Sequence, residues 1–355
     1  MLAACALRSR CVRGRLASPL ALTFLAVLVL ALSARPAAAE EVYELKLATV
    51  APAKTPWASL LQDYKTRVEK AAGGRLKVKI FLGGTLGDEN ATVRMTGRGQ
   101  IQAVGASTGA VASLVPELDA IEVPFLFRNA QEADYVLDKF LLGPLEAQFR
   151  AKGLVLAFWS ENGFRHFAST WGPIKSPADL KNRKVRSQES FVHLEMWKAL
   201  QASAQAIPTT EVTTALKTGS VEGYDQALLY SIAAGWHTSI KYLTLSAHIY
   251  QPGVIAFNAE WFDKLPADLQ KLLIDEGRAL VRPGRAAIRQ LNPKLVAIVK
   301  EAGVQIYTLT DAERAAFEKA TRGVRDVVKG KSPAHRKILE LIEQGLAEYR
   351  AKKKV

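Results

Sequence analysis

Tyr43-Glu44-Leu45-Lys46-Leu47 and Leu76-Lys77-Val78-Lys79-Ile80 both alternate apolar with charged side chains. A period of two puts every second side chain on the same face, so each stretch reads as a half-buried strand. Between them, residues 57–72 carry apolar side chains at helical spacing and stop at Gly73-Gly74, with a loop from Pro52 to Pro56 leading in. Strand, helix, strand in that order implies an α/β fold with a largely parallel sheet.

The same reading extends along the chain. Residues 83–89 form a Gly-rich loop, 90–96 a short helix, and 101–104 a strand. Ser176-Pro177-Ala178-Asp179-Leu180 has the cap, the first-turn proline and the acid of a helix start, and Leu265-Pro266-Ala267-Asp268-Leu269 repeats most of that pattern. Residues 185–187 read as a strand, 191–200 and 211–218 as helices, and Val221-Glu222-Gly223-Tyr224-Asp225-Gln226 as a Gly-rich turn. Residues 263–302 are helical in pattern, but Pro283 and Pro293 each remove a backbone donor, which predicts two helices joined at kinks. A strand at 303–307 and helices at 311–329 and 333–352 close the chain.

Composition narrows the class. The 355 residues are 49% hydrophobic, enough for two lobes around separate cores. Arg8, Arg10, Arg13 and Arg15, an apolar run from Leu20 to Leu32, and Ala37-Ala38-Ala39 follow the plan of a secretory signal peptide cleaved after Ala39. Leu2-Ala3-Ala4-Cys5 has the look of an acylation box, but no apolar segment precedes it. Cys5 and Cys11 both lie in the leader, so the mature chain would have no disulfide, thiol nucleophile or cysteine metal site. Loss of the leader's five arginines lowers the net charge from +14 to +9. The remaining positives alternate with acids, as in Asp275-Glu276-Gly277-Arg278, which argues against nucleic acid as a partner. Aspartates and glutamates near the cleft could hold calcium beside a ligand, but no loop has the fixed spacing of a calcium site, and no cofactor is expected. No linker composition separates two domains, so a two-lobed chain would cross between its lobes more than once. The expected division is leader 1–39, lobe I from 40–162 with 251–290, and lobe II from 163–250 with 291–355, including the C-terminal helices.

Two arginines sit in short frames, Asn162-Gly163-Phe164-Arg165-His166-Phe167 and Lys181-Asn182-Arg183-Lys184-Val185-Arg186. A guanidinium is a planar fork of donors that matches a carboxylate two bonds at a time, so the pair points to capture of a small organic anion. Arg186 falls at a strand end, where ligands of open α/β sheets bind. Gly105-Ala106-Ser107-Thr108-Gly109 matches the G-x-S-x-G nucleophile elbow, making Ser107 the candidate nucleophile of a secreted hydrolase. None of His166, His193, His237, His248 and His335 stands in an accompanying motif, and the turn's amides suit an anion equally well.

Taken in order, Lys46-Leu47-Ala48, residues 83–89, Val115-Pro116-Glu117-Leu118, Val123-Pro124-Phe125-Leu126-Phe127, and residues 176–186, 211–226 and 261–270 carry a resemblance that spans the mature chain. The chain resembles the periplasmic solute-binding proteins of tripartite ATP-independent periplasmic (TRAP) transporters, of the dicarboxylate-binding DctP type. That resemblance implies a two-lobed α/β clamp, each lobe a mostly parallel sheet flanked by helices. It also implies a non-enzymatic periplasmic protein that carries a small organic acid to a small and a large membrane subunit; a monomer is the default expectation. A ligand-sensing periplasmic adaptor would share the fold. The resemblance makes Arg186 the carboxylate clamp, with Arg165 close to the same group and Gln226 where many members have asparagine. Glu89 and Ser107 match positions that vary with ligand, Ser107 and Thr209 both departing from the sialic-acid binders, and Tyr224 and Asp225 complete the expected site. Trp57, Tyr230 and Trp236 are further candidates to line the cleft.

Overall fold

The computed structural model describes residues 41–353. The signal sequence, its cleavage site and both cysteines lie outside the described residues. Strand β1 (Tyr43–Thr49) pairs in parallel with β2 (Leu76–Phe81) on one side and β3 (Ala103–Ser107) on the other. The helix between β1 and β2 spans Pro56–Ala71; the Thr55 side chain accepts from the Ala58 amide at 3.2 Å and Pro56 occupies the first turn. Its Leu61, Tyr64 and Val68 are buried with Leu45 and Leu47 in one apolar cluster.

Two long strands organise the rest, β4 (Leu154–Ser169) and β8 (Tyr242–Asn258). With β5 (Lys184–Ser187), β6 (Ser203–Ala206), β7 (Gly223–Ala227) and β9 (Gln305–Thr308) they form a nine-stranded sheet in the order β2-β1-β3-β8-β4-β7-β5-β6, with β9 on β8. The end of β8 pairs with β3 and the start of β4, while its beginning pairs with β9 and the end of β4, which itself pairs with β7. Register shifts at Glu161/Gly163 and Arg165/Phe167 bend the ladder where these pairings change over, and Gly163 takes φ +100° there. This is the two-lobed clamp. The pairs β1–β2, β1–β3, β5–β6, β5–β7 and β8–β9 are parallel, and every antiparallel pair involves a long crossing strand. No helix of the described residues is long and apolar enough to cross a membrane.

Three local expectations are corrected. Residues 221–226 are no turn: Gly223 opens a buried strand, and a Cβ there would lie 2.5 Å from the Ala168 carbonyl, so the glycine marks a close approach. Ser176 does cap as expected, with Asp179 completing the box, but only the single 3-10 turn Pro177–Leu180 follows. The helices Ala267–Ala279 and Val281–Glu301 meet at Leu280, not at a proline kink. Pro283 sits in the first turn of the second helix, where no backbone donor is needed, and Pro293 costs one bond within a helix held by packing. The last helix, Pro333–Lys352, shares an apolar cluster with Leu118, Val136 and Leu137, and Arg350 forks onto Glu132 at 2.7 and 2.8 Å.

Gly277 supplies a test of this packing. In the middle of an exposed helix Gly→Ala stabilises by about 1 kcal/mol. Here a Cβ would fall 2.1 Å from the Phe158 ring, so the sign reverses. Gly277→Ala is expected to lose about 1 to 3 kcal/mol through overpacking, read as a lowered melting temperature; a raised one would contradict the packing of this helix against β4.

Candidate functional site

The crossing strands leave a cleft between the β1/β3 side and the β7/β5 side. It holds about 570 Å³ of atom-free space, open mouth included, between the end of β1 and the loop after it (Thr49, Pro52, Thr55), Trp57, Glu89, Ser107, Asn162, Gln188, Thr209, Gln226, Tyr230 and Gln251. Glu89, Gln188 and Thr209 also line an adjoining recess of about 190 Å³ with Arg186. The Trp57 indole donates to the Glu161 carbonyl at 2.9 Å and packs so tightly over Gly253 that a Cβ there would be 2.2 Å away.

The two arginines have different surroundings. Arg165 is fully buried and saturated: Nε donates to Asp225 at 2.5 Å, Nη2 to the Asp225 carbonyl at 2.6 Å, and Nη1 faces the carboxamide oxygens of Gln188, Gln226 and Gln251 at 3.2, 3.0 and 2.9 Å. Burial opposes ionisation of Asp225, but the Arg165 charge and the His248 bond outweigh it and hold that carboxyl well below its usual range. Arg186 is just as buried, but among the described residues it has no carboxylate within ion-pair distance. Its Nε donates to the Ile207 carbonyl at 3.0 Å, its Nη2 lies 3.4 Å from Thr209, its guanidinium stands over Trp236 at 5.3 Å, and its Nη1 has no partner among the described residues. Burial, then repulsion from Arg165, pulls its pKa down to about 10, so it remains charged at neutral pH.

The expected site residues therefore divide. Arg186, Glu89, Ser107, Thr209 and Gln226 face the cleft or its recess. Arg165 lies behind them and acts on the cleft through Gln226, whose oxygen accepts from Arg165 and from the Ala227 amide at 2.8 Å, which leaves its NH2 group for the cavity. Tyr224 and Asp225 are corrections. Tyr224 shares the Gln226 face of β7 but is buried further along it, where it packs on Trp236 and bonds Ser231 at 2.6 Å, and alternation puts Asp225 on the opposite face, where its Oδ2 meets Arg165 and His248. Trp57 and Tyr230 do line the cleft; Trp236 lies beneath Arg186. Gln188 and Gln251 are additions; Gln188 follows the β5 strand end that drew attention to Arg186, while nothing in the sequence marks Gln251.

Ser107 is not arranged as a nucleophile. Its hydroxyl donates to Glu89 at 3.1 Å and accepts from Gln188 at 2.7 Å, and its amide donates to the other Glu89 oxygen at 2.8 Å. His193 bonds Glu122 and His248 bonds Asp225 instead. Burial pushes the Glu89 carboxyl up despite those Ser107 bonds.

The family whose model matches residues 47–329 is the bacterial extracellular solute-binding protein, family 7 (DctP). The chain belongs to it. It is a solute-binding protein of the TRAP class and not an enzyme. The 2,3-diketo-L-gulonate-binding periplasmic protein YiaO of Escherichia coli is 30% identical over 285 residues, which cover 80% of this chain and 86% of that protein. The crystal structure of the sugar acid binding protein DctPAm from Advenella mimigardefordensis with galactonate superposes with a TM-score of 0.80 at 28% identity, covering 86% of this chain and 99% of that one. A TRAP periplasmic solute-binding protein from Citrobacter koseri with bound D-glucuronate gives 0.79 at 26%, covering 85% and 99%.

The histidine beneath the site makes a pH prediction. His248 is stacked on Phe167 at 4.0 Å, accepts from Ser246 at Nδ1 and faces Asp225 at 3.2 Å; burial lowers its pKa to about 4 despite that carboxylate. A histidine with a depressed folded pKa contributes stability above about pH 6.5 that is lost as pH falls through 4. The melting temperature should drop over that interval, and histidine NMR should show the His248 ring still neutral at about pH 5.5; titration near 6.5 would contradict this burial.

Proposed function

We propose that this protein is exported, is cleaved after Ala39, and works in the periplasm as a monomer that captures one small hydroxylated organic acid and hands it to the TRAP membrane subunits. The observation that carries the reading is the buried, unpartnered Nη1 of Arg186 at the edge of a polar cleft. A buried guanidinium without a counter-ion is costly, and a carboxylate from the ligand supplies both the charge and the missing bond. Gln226 offers its NH2 group beside it, held in place by Arg165. The proposed lobes are 40–162 with 251–290 and 163–250 with 291–355, the final helix reaching back to the first lobe.

Glu89 narrows the ligand class. It shares the Arg186 recess, so a second carboxylate on the ligand would face a carboxyl of the same sign, whereas a hydroxyl can donate to it. Monocarboxylic acids bearing several hydroxyls are favoured over dicarboxylates. The ligands named for YiaO and DctPAm, 2,3-diketo-L-gulonate and galactonate, are hydroxylated carboxylates.

Calorimetric titration of residues 40–355 with aldonates, uronates, dicarboxylates and neutral sugars tests the reading. Hydroxylated monocarboxylates should bind most tightly. Arg186→Ala should cost about 2 to 5 kcal/mol of binding, and Arg186→Lys should not restore it because a point charge cannot reproduce the fork. Glu89→Gln should narrow the preference against dicarboxylates. Wild-type affinity in Arg186→Ala, or neutral sugars bound as tightly as acids, would overturn the proposal.

A further inference from the structure

The G-x-S-x-G segment remains to be accounted for once hydrolysis is set aside. Gly105 makes room for Trp57, whose ring would lie 3.2 Å from a Cβ there. Ser107 ends β3 on one side of the cleft, and Gln188 follows β5 on the other, with three strands between them in the sheet order. Their side chains nonetheless meet directly: Gln188 Nε2 donates to Ser107 Oγ at 2.7 Å, and both residues are buried. Gly109 clears the space this contact needs, since a Cβ there would be 3.1 Å from that same Nε2 and 3.2 Å from the Glu122 carboxylate. On its own side Gln188 is held by its oxygen, which accepts from Gln251 at 2.9 Å and from Arg165 at 3.2 Å. On the other side Ser107 is held by Glu89. A second touch between the two sides occurs where a Cβ on Gly84 would come 3.0 Å from the Thr210 methyl.

We infer that the Gln188–Ser107 hydrogen bond is a latch across the cleft, with Gln188 as a positioning residue that sets the open–closed equilibrium of the empty protein. The bond forms only when the two sides meet, because its halves are anchored on separate strands, Ser107 at the end of β3 by Glu89 and Gln188 after β5 by Arg165 and Gln251. Affinity is reduced by the fraction of molecules not already in the binding-competent form, so a residue that biases closure tunes affinity for every ligand alike. The inference rests on the reading of the cleft as the ligand site, but the latch itself operates without a ligand.

The experiment places spin labels at two exposed positions, Lys77→Cys on β2 and Ser203→Cys on β6, and measures their distance distribution in the ligand-free protein. Gln188→Met keeps the bulk and removes the donor together with the oxygen that accepts from Gln251 and Arg165; Gly109→Ala keeps every hydrogen-bonding group and crowds Gln188. Both variants should shift the distribution towards longer distances, and saturating hydroxy acid should restore the wild-type distances. Their dissociation constants should rise about 2- to 10-fold, by the same factor for each acid bound, in line with loss of one neutral hydrogen bond. Unchanged ligand-free distances in both variants would overturn the latch, as would a loss of affinity that differs from acid to acid, which marks direct ligand contact. If wild type binds no acid, the functional reading fails while the distance measurement still decides the latch.

Discussion

Two guanidinium groups are buried at one cleft, Arg186 at its edge and Arg165 behind it, and among the described residues a carboxylate pairs with only one of them. Everything else in the site follows from that asymmetry. Arg165 and Asp225 neutralise each other as a fully buried ion pair. Arg186 has a carbonyl, a distant hydroxyl and an aromatic face, which hold its orientation without neutralising it. Burying a charge this way stores a penalty on the order of several kcal/mol, which an anion of the right shape relieves on entering. Stability and affinity are therefore opposed at this residue, as expected where function sets the sequence.

The sheet explains how the asymmetry is maintained. Arg165 stands on β4 close to the point where that strand changes partners, and Arg186 on the short parallel strand β5. Because β4 and β8 belong to both sides of the cleft, the carboxamides of Gln226 and Gln251 and the Arg165 guanidinium form one network that spans the bend. The helix Val281–Glu301 reinforces the same place: Arg289 forks onto Asp134 at 2.7 Å and reaches Glu161 at 2.7 Å, immediately before the register shift. The cleft is thus anchored by charge at its back and left polar and open at its front.

How much of this was legible in the sequence depends on the range of the interaction. β1, β2 and the helix between them could be read because alternation and helical spacing are local signals. The crossing strands were not read: β4 begins as the continuous apolar run Leu154-Val155-Leu156-Ala157-Phe158-Trp159, which carries no period, and β8 likewise is buried on both faces for most of its length. Arg186 was legible from its strand-end position and from family resemblance. The contrast between the two arginines was not, because whether a guanidinium has a counter-ion depends on Asp225, sixty residues from Arg165 and brought to it only by the β4–β7 pairing. The surroundings of Asp225 and Tyr224 are set the same way: alternation puts Asp225 on the face of β7 opposite Gln226, and Tyr224, on the Gln226 face, is covered by Trp236 from a distant part of the chain.

The most direct test is a crystal structure of the mature protein with a bound hydroxylated monocarboxylate. The account predicts a carboxylate oxygen within hydrogen-bond distance of Arg186 Nη1, with the Arg165–Asp225 pair intact behind it. A carboxylate held elsewhere, with Arg186 Nη1 still unpartnered, would contradict it.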